Sequence, residues 1–259
     1  MKRRGKVWAW IVIIIGILYF FLPLLATFMF SLRAKLGVLS FKAYASVFSD
    51  PKFVTSFLSS ILWASLTIIF GILIFVPTAY WVRLRVPKAR TAVEFITMLP
   101  FVVPVIVYVF GLVRTYSHPP LLIVNNPFLL ISAYTILSMP YMYRAVDIGL
   151  RSIDVRTLTE AAQSLGAGWG TVMFRVIIPN IRVAILNGAF LSFAIVVGEY
   201  IIAQYLAKPA FAPYMAVLMQ NKAYEPAALA VISFALTWAC MGIISLIGRG
   251  QQGQLAGPR

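Results

Sequence analysis

Residues 8–30 read WAWIVIIIGILYFFLPLLATFMF, 23 consecutive residues without a charged side chain. A helix of about 20 apolar residues is long enough to cross the hydrocarbon core of a bilayer, where the segment must satisfy all of its own backbone hydrogen bonds. The run is too long for the apolar core of a secretory signal peptide, which has about 7–15 residues. Residues 8–30 therefore predict a first transmembrane helix.

Further apolar segments extend this prediction along the chain. They are Ser56–Val82, Phe95–Val113, Pro127–Tyr143, Val183–Leu206 and Pro226–Ile247. The chain has 259 residues, of which 61% are hydrophobic and 11% are charged, whereas a soluble domain carries about 25% charged residues. Because too little polar surface is left to face water, the sequence predicts an all-α membrane protein with six transmembrane helices.

The basic residues are distributed unevenly between the loops. The formal net charge is +15, from 22 Lys and Arg against 7 Asp and Glu. If the N-terminus lies in the cytoplasm, 15 of these Lys and Arg fall in cytoplasmic segments and 7 in outer ones. This excess agrees with the positive-inside rule, so both termini and the loop between the fourth and fifth helices are predicted to be cytoplasmic. In a chain this apolar, the positive-inside rule explains the excess of basic residues better than nucleic-acid binding does.

The longest loop, residues 144–182, has the pattern of two short helices. Asp154 is placed to cap the first helix and Gly166 to end it, and a second amphipathic stretch, Trp169–Ile178, ends at Pro179. The apolar residues that recur at helical spacing are Leu150, Ile153, Leu158, Ala161, Ala162 and Leu165. Such a loop is either a docking structure for another protein or an interfacial helix that rests on lipid headgroups.

The same loop carries a spaced motif. Residues 160–166 read EAAQSLG, and after nine further residues 176–179 read VIIP. This pattern resembles the cytoplasmic signature of the permease subunits of binding-protein-dependent ABC importers: Glu-Ala-Ala, three residues, Gly, nine residues, then Ile-x-Leu-Pro. Val176 and Ile178 are conservative departures from it. The resemblance extends over about residues 56–206, and it is strongest to the second permease of polyamine, ferric-iron and phosphonate importers.

The resemblance implies a coupling loop, whose helix sits in a cleft of a cytoplasmic ATPase. The residues assigned to this contact are Glu160, Ala161, Ala162, Gly166 and Pro179. The implied partners are a second permease subunit, two ATP-binding subunits that hold ATP and Mg²⁺, and an external solute-binding protein, at a bacterial inner membrane. The chain itself would be no enzyme and hold no cofactor. Its parts would be a first helix with an outer loop (1–55), a permease core (56–247) and a cytoplasmic tail (248–259).

Physical chemistry supports these assignments. Alanine has high helix propensity and lets a partner approach closely, the Glu160 carboxylate can meet a basic residue, and Gly166 permits a sharp turn. Taken singly, each of these residues is equally explained as an ordinary helix residue or cap. Their joint spacing favours the coupling role.

Glu199 is the only acidic residue within the six predicted spans. Together with Gly188, Ser192 and Ala203 it forms a small and polar stripe, which is expected to face protein or a water-filled pathway. One interpretation places Glu199, Tyr200 and Ser192 on the substrate pathway, where the carboxylate would meet a cation. The other interpretation is a structural hydrogen bond near the outer interface, and the sequence leaves both open.

Two other classes of protein fit the sequence less well. For a membrane enzyme, His118 is the only histidine and Cys240 the only cysteine, so no metal cluster or Ser/His pair can be assembled, and the chain has no P-loop for ATP. A secondary transporter or channel normally shows repeated halves or several charges within the membrane. Neither feature is visible, and this class is the alternative to an ATP-driven importer.

Overall fold

A computed structural model describes the backbone of residues 2–35 and 37–255, and the side chains of residues 8–35, 37–242 and 246. The helices are α1 (Lys2–Ser31), α2 (Lys42–Phe48), α3 (Pro51–Leu84), α4 (Arg90–Val102), α5 (Val105–Tyr116), α6 (Pro127–Arg151), α7 (Val155–Ser164), α8 (Trp169–Thr171), α9 (Ile178–Asn180), α10 (Arg182–Gly198), α11 (Ile201–Tyr205), α12 (Phe211–Asn221) and α13 (Glu225–Leu255). A 3₁₀ turn, Pro87–Ala89, precedes α4, and a π-helical turn, Val172–Ile177, joins α8 to α9.

Several helices are long and apolar enough to cross a bilayer. Three single stretches meet this criterion within the described residues, namely Trp8–Ser31, Pro51–Leu84 and Glu225–Gly242, and two bent helix pairs raise the number to five if each is one span. The fourth predicted segment forms most of α6 but is not among these spans. The predicted class, an all-α membrane protein, is confirmed. The count of six spans stays a prediction.

The third predicted segment, Phe95–Val113, is not one helix. It is divided into α4 and α5, which are bent by 96°. The break lies at Val103, whose backbone is extended with φ −88° and ψ 118°. Pro104 explains it, because proline disfavours a helical conformation at the preceding residue and has no N–H to continue the helix. The prediction of a single continuous helix was wrong here.

The fifth predicted segment, Val183–Leu206, is also interrupted. Helix α10 ends at Gly198 and α11 begins at Ile201, and between them the backbone of Glu199 is extended with φ −77° and ψ 127°. At its other end α10 is bent by 77° from the helical stretch Trp169–Asn180. Sequence patterning missed this break because the segment is mostly apolar and contains no proline to mark the end of a helix.

One compact unit contains the residues up to Val54 together with Tyr214–Trp238. The span Trp8–Ser31 in α1 presents its apolar side chains at the surface, with no residue of its most apolar window buried. Elsewhere in this unit the hydroxyl of Tyr214 donates to Oδ2 of Asp50 at 2.8 Å. The unit therefore combines an apolar helix that is exposed within the unit with a polar contact between α12 and the turn before α3.

The second compact unit contains Thr55–Pro213 and the chain from Ala239 onward. Helices α6 and α10 cross closely in this unit. A Cβ built on Gly188 of α10 would lie only 2.8 Å from Sδ and 3.2 Å from Cα of Met142 in α6. Small residues at such a crossing allow two helices to pack backbone to backbone. The core around this crossing is formed by Phe75, Val76, Tyr80, Met142, Val146, Leu150, Val155, Val172, Ile177, Ile181 and Ile185.

The predicted C-terminal tail, residues 248–259, overlaps the end of α13, whose backbone is helical up to Leu255. Residues 256–259 lie outside the described residues. The predicted boundaries after residues 55 and 247 therefore stay predictions.

Candidate functional site

The loop that carries the spaced motif begins with a capped helix. Oδ1 of Asp154 accepts a hydrogen bond from the backbone N–H of Thr157 at 3.1 Å, and Oδ2 accepts one from the Thr157 hydroxyl at 2.7 Å. The hydroxyl bond, followed by the backbone bond, holds the pKa of Asp154 below its usual value. A carboxylate at this position satisfies N–H groups that have no partner within the helix. The predicted cap of α7 is confirmed.

Helix α7 ends in a glycine turn. Gly166 has φ +82°, its N–H donates to the carbonyl of Gln163 at 2.9 Å, and the N–H of Ala167 donates to the carbonyl of Ala162 at 3.0 Å. This pair of bonds is a Schellman motif, in which a left-handed residue closes the helix. A Cβ added to Gly166 would meet nothing within 4 Å. Glycine is therefore required for its backbone conformation and not for space.

The motif residues divide between the two faces of α7. Glu160 and Ala161 are exposed and Ala162 is half-buried. Nε of Arg156 donates to Oε1 of Glu160 at 2.8 Å, one turn away on the same exposed surface. Leu165 is 88% exposed, more than any other large apolar side chain described. Sequence patterning assigned Ala161 and Leu165 to the apolar face, whereas the structure points both outward.

The opposite face of α7 is held against the end of α3. The hydroxyls of Tyr80 and Thr159 are 3.0 Å apart and buried. The ring centroids of Trp81 and Trp169 are 4.8 Å apart, and the guanidinium carbon of Arg85 lies 5.4 Å from the Trp169 centroid. A cation over an aromatic face is attracted by the ring quadrupole. These contacts hold both helical parts of the loop to one long apolar helix.

The second half of the motif lies in the stretch Trp169–Asn180. Its buried side chains, Val172 and Ile177, belong to the core of this unit. Pro179 is exposed and lies in α9, which follows the π-helical turn. The predicted second short helix is thus present, and it ends at Asn180, one residue beyond Pro179.

A network of ion pairs lies where α3, α4 and α6 end or begin. Asp147, with a side chain 8% exposed, is 2.8 Å from Nε of Arg151, 3.5 Å from Nη2 of Arg90 and 3.8 Å from Nη2 of Arg83. Glu94 pairs with Arg90 at 2.8 Å and with Arg151 at 3.1 Å. From the sequence these arginines served only as topology signals. The pairs Arg90–Glu94 and Arg151–Asp147 lie one helical turn apart, but the contacts that join them into one network connect separate helices.

The three residues predicted for the substrate pathway lie in different environments. Glu199 is 9% exposed, and its Oε2 accepts hydrogen bonds from the N–H of Ile202 at 2.9 Å and of Ala203 at 3.3 Å. Ser192 is fully buried and donates to the carbonyl of Gly188 at 2.8 Å. Tyr200 is exposed. The Glu199 carboxylate thus caps α11, which is the contact that the structural interpretation expected, while its contact with a substrate stays untested.

Residues 76–250 match the profile of a family described as the binding-protein-dependent transport system inner membrane component. This stretch is more than half of the chain, so the chain belongs to that family of ABC importer permeases. Membership confirms the resemblance found in the loop. It also confirms that the chain is a transport component and not itself an enzyme.

Two relatives carry more specific names. The chain is 30% identical over 163 residues to a putative ferric transport system permease protein of Haemophilus influenzae, which covers 60% of this chain and 25% of the relative. It is 27% identical over 206 residues to the molybdate/tungstate transport system permease protein of Pyrococcus furiosus, which covers 78% of this chain and 81% of the relative. The chain thus spans about a quarter of the first relative's length.

A solved structure has the same fold. It is a bacterial alginate ABC transporter in complex with an alginate pentasaccharide-bound periplasmic protein, and it matches with a TM-score of 0.68. The match covers 100% of this chain and 98% of that chain at 18% identity. At this identity the similarity establishes the fold alone.

Proposed function

We propose that this chain forms the translocation pathway for a small solute in an ATP-driven importer and couples to the ATPases through residues 160–179. The observation that carries the proposal is the construction of the loop. Helix α7 is capped at Asp154, closed at Gly166 and held to α3 by Thr159, yet its outward surface has no described residue packed on it. A rigid helix with exposed Glu160 and Leu165 suits insertion into a cleft of a partner protein.

The proposed partners follow the organisation of the family. A second permease, either a related chain or a second copy, would complete the pathway, and two cytoplasmic subunits would bind ATP and Mg²⁺. An external binding protein would deliver the solute, as the periplasmic protein seen with the alginate transporter supports. Lipid would surround the apolar helices, and both termini would be cytoplasmic.

The solute is proposed to be small. The two relatives described above are named for ferric iron and for molybdate or tungstate. Those names favour an inorganic ion over a polyamine, so polyamine import stays a weaker alternative.

Cross-linking tests the coupling proposal. Leu165→Cys and Ala161→Cys, each in a Cys240→Ser background, should cross-link to the co-expressed ATPase through a short bifunctional thiol reagent. Thr159→Cys is the matched control, because that position is buried on the other face of the same helix. An ATPase that co-purifies but cross-links to neither exposed position would dock elsewhere. Failure of any ATPase to co-purify, with solute movement independent of ATP, would instead favour a secondary transporter or channel.

Labelling tests the orientation. Lys42→Cys and Gln163→Cys are both exposed positions, one in each compact unit. A membrane-impermeant thiol reagent added to intact cells should modify position 42 and should reach position 163 only after permeabilisation. The reverse pattern would place the 144–182 loop outside and contradict coupling to a cytoplasmic ATPase.

A further inference from the structure

A cavity of about 420 Å³ lies between α4, α6 and α10. Most of its wall is apolar, and the side chains that carry polar groups are Tyr141, Arg144 and Asn187. All three side chains can donate hydrogen bonds, and the guanidinium of Arg144 can only donate and never accept them. No Asp or Glu lines this cavity. The donor set is therefore suited to an anion and offers no charged acceptor to a cation.

These donors are unused within the described part of the chain. The structure shows no hydrogen bond to the Tyr141 hydroxyl, the Asn187 amide or the Arg144 guanidinium, and no ion pair to Arg144, in residues 8–35, 37–242 and 246. Arg144 contributes to the field at Asp147, but that carboxylate is already held by three other arginines. Among the described residues Arg144 thus has no carboxylate at ion-pair distance, although Glu94 and Asp147 line the neighbouring cavity that Arg144 also lines.

The charged residues around this cavity add further positive charge to that of Arg144. A second cavity of about 520 Å³ adjoins the first and shares Met98, Arg144 and Ile148 with it. The walls of the two cavities carry Arg144 and Arg151 against Glu94 and Asp147. Arg83 and Arg90 pair with the same acids from outside the walls, so the four arginines exceed the two acids by two charges. A cleft with walls of low dielectric constant focuses such a field and raises the local concentration of counter-ions. Both acids are engaged in ion pairs, so the free charge belongs to Arg144.

We infer that this cavity is a transit site for a small oxyanion, and hence that the solute of this permease is anionic. Arg144 would hold two oxygens of the solute in its planar fork, and Asn187 and Tyr141 would donate to the others. The inference rests on the proposed function, and it names the class of solute. A volume of 420 Å³ lies at the small end of ligand sites, which span about 300–1,000 Å³. The Glu199 carboxylate, for which the sequence left contact with a cation open, accepts hydrogen bonds from backbone N–H groups.

The charge of the cavity can be measured without knowing the solute. Leu191→Cys, in a Cys240→Ser background, places a thiol on the cavity wall. The assembled importer in membrane vesicles is treated with an anionic and with a cationic methanethiosulfonate of similar size, and the two modification rates are compared. The anionic reagent should react faster, and Arg144→Gln should lower the anionic-to-cationic rate ratio about tenfold, as removal of one nearby charge predicts. Arg114→Gln, which removes a charge from the end of α5, should leave the ratio unchanged.

Protection by added ions completes the test. Molybdate, phosphate or sulfate should slow modification of the thiol in the wild-type background and not with Arg144→Gln, whereas spermidine should have no effect. Arg144→Lys should keep the rate ratio and weaken the protection, because it keeps the charge and loses the planar fork. A faster cationic reagent, a ratio indifferent to Arg144→Gln, or protection by spermidine and by no oxyanion would each overturn the inference. Co-purification of the ATPase from the same vesicles reports separately on the proposed function.

Discussion

Asp154 and Glu199 do the same chemistry in opposite surroundings. Each carboxylate accepts hydrogen bonds from backbone N–H groups at the start of a helix, Asp154 before α7 and Glu199 before α11. Asp154 is exposed, whereas Glu199 is almost completely buried. Water can replace the first cap, whereas the burial of Glu199 keeps water away from the N–H groups that it accepts from. The comparison shows that the cost of losing a cap depends on what else can satisfy the backbone.

The largest effect is expected at the buried cap. Glu199→Leu removes the acceptor of two N–H groups and should lower the free energy of unfolding by about 2–6 kcal/mol, at about 1–3 kcal/mol for each buried donor left unsatisfied. Glu199→Gln keeps one acceptor oxygen and should cost less. The measurements are the Tm of the purified complex and uptake normalised to complex in the membrane. If Glu199→Gln assembled normally but lost uptake, Glu199 would have a role on the substrate pathway and could not be regarded only as a helix cap like Asp154.

Gly166 ranks next, at the other end of the exposed loop helix. Gly166→Val should cost about 1–2 kcal/mol, because an L-residue is strained in the left-handed region, although its side chain has open space. Gly166→Asn is the matched control, since asparagine tolerates this conformation. Uptake should fall with valine and largely survive with asparagine, while both proteins insert. Equal uptake by both variants would show that the turn does not position the coupling surface.

Tyr80→Phe should have a smaller effect. The change removes one buried hydrogen bond and should cost about 1 kcal/mol, because Thr159 keeps its bond to the carbonyl of Val155 at 2.6 Å. Thermal unfolding of the complex measures it, and ATP hydrolysis per solute imported should rise if the loop loosens from α3. Tyr116→Phe removes a hydroxyl with no hydrogen bond among the described residues and serves as the control. A larger loss in the control would mean that the Tyr80 hydroxyl contributes little.

The smallest effect is expected at the exposed cap. Asp154→Ala leaves the N–H of Thr157 accessible to water, so the drop in Tm should be below that of Tyr80→Phe. Asp154→Asn preserves an acceptor oxygen and should be close to wild type. If Asp154→Ala proved as damaging as Glu199→Leu, burial would not be what separates the two caps.

Local signals allowed part of this structure to be predicted from sequence. The long apolar runs predicted the apolar helices. Asp154, Gly166 and Pro179 predicted the helix–turn–helix of the loop, because each of them affects the backbone of its immediate neighbours. The break at Pro104 had a local signal that was overlooked, because a proline restricts the residue before it. Leu165 was misassigned because helical spacing no longer holds beyond Ser164, where α7 ends.

The remaining features depend on distant parts of the chain. The Tyr80–Thr159 contact joins positions 79 residues apart, and the Glu94–Arg151 pair joins positions 57 apart. No periodicity within one segment encodes such pairs, because they form only when helices pack. The donor set of the cavity has the same origin, since Arg144 and Asn187 come from separate helices. Composition alone explained Arg144 as a topology signal and gave no indication that it faces a cavity.

The indole rings of Trp81 and Trp169 lie 4.8 Å apart with their planes inclined by 47°. Aromatic chromophores this close, and not parallel, couple their electronic transitions and produce a paired signal in circular dichroism. One ring belongs to α3 and the other to the loop, so the coupling lasts only while the two remain together. The chain therefore carries a label-free optical reporter, whose loss upon addition of ATP to the assembled importer would record the loop moving away from its supporting helix.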